Sequence, residues 1–260
     1  MRTGLGITAP PHPQLDTPES TPSTTTAIWR KLPLSTPRSY VIVLPMTTTR
    51  HYTPLDRLLI GIDQSLRTVL AKPQGTGRAN PGDTSAEQTL SPGDKRHVTG
   101  LMRVNHAGEI AAQALYQGQA LTAQLPTVRQ KMEQAAVEEN DHLLWCEQRL
   151  RELDNHPSRL TPLWYAGSFV IGALAGAAGD KWSLGFVVET ERQVIDHLNG
   201  HLATLPAHDA KSRAILEQMR ADEQHHATTA LEAGAAELPR PVKTLMQLTS
   251  KLMTKTAYRF

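Results

Sequence analysis

A single cysteine, Cys146, stands among 260 residues. One thiol excludes a disulfide framework and any zinc or iron–sulfur site built from cysteines. Aromatic residues make up only 5% of the chain, and no stretch alternates apolar and polar residues for long, which argues against a β-sandwich or barrel. A surplus of charge is missing too: 27 Lys and Arg face 25 Asp and Glu, for a net charge of +2. Nucleic-acid binding driven by bulk charge is therefore excluded, and no nucleic-acid partner is expected. No Gly-x-Gly-x-x-Gly segment occurs, so a dedicated nicotinamide domain is not expected either. What the chain does have is enough apolar residues, 39%, to bury a core, together with eleven histidines and fourteen glutamates. Both of those residue types ligate metals.

Residues 1–45 are rich in Thr, Pro and Ser, show no sustained apolar period, and read as a disordered tail or an upstream extension. Pro45 stands directly before Met46, and we expect Met46 to be the working start of a single domain spanning 46–260. After Thr53-Pro54, Leu55, Leu58, Leu59, Ile62, Leu66 and Val69 recur at helical spacing. Residues 72–95 carry three Pro and four Gly and predict a loop or linker. Beyond it the pattern predicts helices near 98–124, 127–154, 162–179, 183–203, 209–236 and 242–256, with prolines at their junctions. The fold class is all-α, a four-helix bundle with additional amphipathic helices.

Two Glu-x-x-His tetrads occur, Glu139-Asn140-Asp141-His142 and Glu223-Gln224-His225-His226. Composition alone supplies about 0.6 of them (11 × 14/260), so a single tetrad carries little weight. Periodicity carries more. Met132, Ala135, Glu139, His142, Cys146, Leu150 and Leu153 step by three and four, as do Ile215, Met219, Glu223, His226 and Ala230. Both tetrads thus fall on apolar stripes, where an unpaired carboxylate is costly. His225 turns about 100° from His226 and belongs to the surface.

Each tetrad also has one glutamate upstream at a matching distance, Glu109 before Glu139 and Glu191 before Glu223. Glu191 shares the stripe Leu184, Val188, Ile195, Leu198 and Leu202, whereas Glu189 does not. Four acids and two histidines in two similar halves are the ligand set of a carboxylate-bridged di-iron or di-manganese bundle. Carboxylates can bridge two cations about 3.5–4 Å apart, and four of them balance two divalent charges. Glu139 and Glu223 are the expected bridges, with Glu109 and His142 completing one position and Glu191 and His226 the other. Asp141 and Asp222 are expected to orient a histidine from behind. His197, beside the Glu191 stripe, is expected near enough to relay protons or electrons.

The run Arg103-Val104-Asn105-His106-Ala107-Gly108-Glu109, continued by Ile110-Ala111-Ala112-Gln113-Ala114-Leu115-Tyr116, resembles the hallmark segment of the demethoxyubiquinone hydroxylases of ubiquinone biosynthesis. These are ferritin-like di-iron proteins. The likeness extends through Glu138-Glu139-x-x-His142-Leu143, Val188-Glu189-Thr190-Glu191-Arg192-Gln193 and Asp222-Glu223-x-x-His226-Ala227, from about Met46 to Phe260. It implies a monooxygenase with two iron ions that hydroxylates the ring of a demethoxy polyprenyl benzoquinol with O2. The two electrons per turnover would come from the quinol itself or from NADH relayed through the quinone. The rival reading is a ferritin-like ferroxidase or peroxidase with the same ligands; a non-catalytic helical adaptor would leave six buried ionisable groups unexplained.

Such a quinol lives in the bilayer, so the resemblance also implies a peripheral protein on the cytoplasmic side of the inner (cell) membrane, in contact with other ubiquinone-biosynthesis proteins. Residues 160–179 contain no charged side chain. Their many Gly and Ala, and Asp180-Lys181 directly after, predict a helix in the interface or packed on the bundle in preference to a span. Val242, Leu245, Met246, Leu248, Leu252 and Met253, with Lys243, Lys251, Lys255 and Arg259, predict an amphipathic last helix.

Overall fold

The computed structural model describes residues 53–87 and 89–260; the expectations for residues 1–45 and for Met46 as the start lie outside that range. Seven α-helices fill the described residues, with no strand among them: α1 Pro54–Leu70, α2 Pro92–Thr122, α3 Pro126–Glu152, α4 Thr161–Ala177, α5 Asp180–Thr204, α6 Ala210–Glu232 and α7 Arg240–Ala257. Pro206 lies between α5 and α6 as expected, and Pro54 opens a helix as expected, while Pro126, Pro162 and Pro241 stand inside the first turn of the helices that follow them. Pro54, Pro92 and Pro126 are first residues, and Pro162 and Pro241 second residues, of α1, α2, α3, α4 and α7. At these positions the missing N–H would have had no helical acceptor anyway.

The largest departure from expectation lies at the start of α2. Ser91 caps it by accepting from Asp94 N at 3.1 Å, so the helix begins at Pro92, ahead of the expected 98. The linker expected over 72–95 accordingly ends at 91, and it contains a short 3-10 turn, Pro81–Thr84.

α2 and α3 form one antiparallel hairpin, α5 and α6 the other. α4 runs back alongside α2 in the same direction, so that α5 begins at the end where α2 meets α3. There the Asp180 carboxylate accepts from Gln124 N and Leu125 N at 3.0 and 2.8 Å. The α2–α4 approach depends on glycine. A Cβ on Gly172 would lie 2.1 Å from Leu115 O, and one on Gly118 would lie 2.3 Å from Phe169 O.

The bundle core has two apolar halves. One gathers Leu101, Met102, Trp145, Leu150, Leu198, Ile215 and Met219. The other gathers Leu115, Tyr116, Met132, Leu184, Val188 and Ala230. On each bundle helix one buried layer falls between the two: Glu109 on α2, Glu139 and His142 on α3, Glu191 on α5, and Glu223 and His226 on α6. Each buried large apolar side chain contributes about 1.5–3 kcal/mol, which is how a fold tolerates a charged layer at its centre.

Candidate metal centre

Glu109 on α2, Glu139 and His142 on α3, Glu191 on α5, and Glu223 and His226 on α6 converge in that central layer. None is more than 9% exposed. Their donor atoms form two groups, each within 4.8 Å: Glu109, Glu139, His142 and Glu223, and Glu139, Glu191, Glu223 and His226. Glu139 and Glu223 belong to both groups, which is the arrangement two bridging carboxylates require. His142 Nδ1 lies 2.9 Å from Glu139, 3.1 Å from Glu223 and 3.5 Å from Glu109. His226 Nδ1 lies 3.0 Å from Glu223 and 3.4 Å from Glu139. The Nδ1 nitrogens therefore face the centre, and the Nε2 nitrogens face outward.

Each outward nitrogen meets a carboxylate from the opposite tetrad helix. Asp222 Oδ2 lies 3.0 Å from His142 Nε2, and Glu138 Oε2 lies 2.8 Å from His226 Nε2. Both acids sit immediately before a tetrad glutamate. Asp222 occupies the orienting place expected for it. Asp141 does not: it accepts from Thr76 N and Thr76 Oγ1 at 2.7 and 2.6 Å. Glu138 takes the second orienting place. Sequence reasoning missed it, although the acid before each tetrad glutamate was the available signal. His197 belongs to neither donor group; its ring packs against His201 with centroids 3.8 Å apart. Glu189 also stays outside, accepting from Gln193 Nε2 at 2.9 Å, with Lys243 Nζ 3.6 Å away. Unlike an ordinary surface acid, it is buried. His225 is exposed.

The donor set fits divalent cations. Burial, and then the Glu139 carboxylate, push the Glu109 carboxyl well above its usual range; burial and Glu223 do the same to Glu191. Burial opposes charge on the histidines too, yet hydrogen bonds to Asp222, Glu109, Glu139 and Glu223 hold His142 well above the ordinary imidazole value. Glu139 and Glu223 push His226 up to about 12 despite its burial. Burial and the neighbouring carboxylates hold protons on Glu109 and Glu191, and a bound cation would replace them. Glu191 Oε1 is buried without a hydrogen-bond partner, a donor atom that a cation could satisfy.

Beside this layer, a cavity of about 800 Å³ runs along the seam of α1, α2 and α3. Its lining includes buried Gln113 and Leu143, one helical turn from Glu109 and one residue from His142 respectively. Gln113 Nε2 donates to Asn140 Oδ1 at 2.8 Å, and Gln113 Oε1 accepts from Thr68 Oγ1 on α1 at 3.1 Å.

Residues 96–257 match the family of the ubiquinone biosynthesis protein COQ7. A 3-demethoxyubiquinol 3-hydroxylase of Pseudomonas fluorescens is 61% identical over 214 residues, which cover 82% of this chain and 100% of that protein. The enzymes of the same name from Nitrosococcus oceani and Acinetobacter baylyi are each 61% identical, over 209 and 212 residues; each match covers 80% of this chain, with 98% and 99% of those proteins. With the all-helical bundle and its central layer of paired acids and histidines, these matches make the chain a member of the ubiquinone biosynthesis protein COQ7 family.

Proposed function

We propose that this chain is a 3-demethoxyubiquinol 3-hydroxylase, inserting one atom of O2 into the ring of a demethoxy polyprenyl benzoquinol. The observation that carries the reading is the pair of four-donor groups sharing Glu139 and Glu223, in a chain that matches enzymes of that name over nearly their whole length. The metal is iron. Carboxylate and imidazole donors suit iron or manganese alike, and the family resemblance favours iron. Glu109 with His142 would hold one ion and Glu191 with His226 the other, with Glu139 and Glu223, common to both donor groups, available to each. A pair of ferrous ions, once bound, supplies O2 activation and ring hydroxylation.

The surrounding residues admit and orient the substrate. The seam cavity, lined by Gln113, Asn140 and Leu143 next to the ligand-bearing turns of α2 and α3, would seat the ring, and the amides of Gln113 and Asn140 would meet its hydroxyls. An apolar tail has somewhere to rest. α1 exposes Leu55, Leu59, Ile62, Leu66 and Leu70, α4 exposes Leu163, Val170 and Leu174, and α7 exposes Leu245, Leu248 and Leu252. Among the described residues no helix is long and apolar enough to cross a membrane. These three helices lie in the bilayer interface at the cytoplasmic side of the inner (cell) membrane, where the exposed Lys251, Lys255 and Arg259 meet lipid phosphates. The exposed apolar faces and the seam cavity favour this reading over a ferroxidase, which needs neither.

The test is complementation of a strain lacking its own hydroxylase, followed by quinone extraction. Disappearance of the demethoxy intermediate and return of ubiquinone is the expected result. Persistence of the intermediate with the protein present and metal-loaded would overturn the assignment.

A further inference from the structure

The two outward-facing histidine nitrogens are alike in being met by a carboxylate, but the carboxylates are held differently. Glu138 receives Gln134 Nε2 at 2.8 Å, a neutral amide from its own helix. Asp222 receives Gln218 Nε2 at 2.9 Å and, in addition, Arg78 NH2 at 2.7 Å. Arg78 bonds the same Oδ2 atom that meets His142 Nε2.

Arg78 comes from the segment between α1 and α2, which crosses the α3–α6 seam as a strap. Thr76 fastens the strap to Asp141, one residue before His142. Further along, Glu87 Oε2 lies 2.9 Å from Arg149 NH1 and 3.0 Å from Lys211 Nζ, which secures the other end. The Arg78 guanidinium stacks 5.0 Å from the centre of the Trp145 ring, and that ring lies 5.4 Å from the His142 imidazole. Arg78 therefore bears on His142 twice, through the Asp222 carboxylate and through the Trp145 face. Nothing comparable among the described residues bears on His226.

We infer that Arg78 is a positioning residue that makes the two metal positions unequal, by fixing Asp222 and hence the His142 imidazole. The inference rests on the metal-binding reading above. An outward partner fixes the ring plane and donor strength of a metal-bound histidine, and its loss typically weakens metal binding about 10–100-fold. The sequence separation of 144 residues between Arg78 and Asp222 means that only the folded strap can provide this contact.

Anaerobic equilibrium dialysis of the full chain against ferrous iron tests it without reference to activity. The wild type should hold two ions per chain. In Arg78→Ala one position should weaken about 10–100-fold while the other stays within about twofold. Asp222→Asn should do the same, and the double variant should lose less than the two single losses combined, because both changes act on the same imidazole. Glu138→Gln combined with Arg78→Ala should weaken both positions, because the two changes act on different histidines. Arg78→Lys should recover part of the loss, keeping the charge without the planar stack. Arg78→Gln, which keeps a polar side chain but removes the guanidinium from Asp222 and Trp145, should reproduce the defect if the alanine variant proves unstable by urea titration. Wild-type affinity at both positions in Arg78→Ala and Arg78→Gln, or equal weakening of both, would overturn the inference. A wild-type chain that binds no iron would instead overturn the metal assignment on which it rests.

Discussion

Neighbouring glutamates on one helix have opposite fates here. Glu191 points into the central layer, whereas Glu189, two residues earlier, turns to Gln193 and Lys243. Glu139→Ala or Glu223→Ala should therefore lower bound iron from about two ions per chain to one or none, while Glu189→Ala should retain both. Metal analysis of the purified variants decides the matter; iron lost from Glu189→Ala and kept in Glu191→Ala would mean that α5 sits in another register.

Three other histidines make a separate prediction. Burial lowers His106 and His197 to about 4, and burial with the nearby charges of His197 and His97 lowers His201 to about 3. The folded chain keeps them neutral where the unfolded chain, with ordinary values near 6.5, takes up protons. Their contribution to stability is thus complete above about pH 6.5 and is lost as pH falls towards 4. Each should contribute a slope of at most about 1.4 kcal/mol per pH unit. Urea midpoints between pH 7 and pH 4.5 measure this, and His201→Gln should flatten the slope.

At the scale of the helix, the α2–α4 seam is the place most sensitive to small changes. Gly172→Ala sets a methyl against Leu115 O, where neither backbone can yield. A loss of about 1–3 kcal/mol or more is expected from such overpacking. Gly167, in the same helix, has nothing within 4 Å of its would-be Cβ, and alanine there should stabilise by up to about 1 kcal/mol. The two urea curves, run side by side, separate tight packing from plain helix propensity. The same helix divides its apolar residues between two duties. Phe169 leans on Ile110, Leu143 and Tyr165, while Val170 and Leu174 are 57% and 67% exposed. Val170→Asp with Leu174→Asp should therefore reduce sedimentation with anionic liposomes and leave bound iron intact. Loss of iron as well would mark this face as packing surface.

For the molecule as a whole, a dry charged layer lies between two apolar half-cores, with three amphipathic helices around it. A match of 214 residues covers the Pseudomonas protein end to end. A chain beginning at Met46 should bind iron and restore ubiquinone as well as the full one does. An abundant native peptide from residues 3–30, found by mass spectrometry, would count against that start.

Much of this was legible in the residues themselves. Stripes stepping by three and four specify both helices and the faces they bury, because the helical period ties spacing to direction. For Glu139, His142, Glu191, Glu223 and His226, position on an apolar stripe already required a partner for each charge, and Glu109 stood out by its spacing from Glu139. What local pattern could not express is which groups meet across the fold. Arg78 sits in a Pro- and Gly-rich segment that reads as plain linker, yet it reaches Asp222 across 144 residues. Asp141 and Glu138 stand three residues apart on the same helix, and which of them meets His226 depends on how α3 is rotated against α6. Helix period sets where a side chain points on its own helix; only packing of one helix on another decides what it meets.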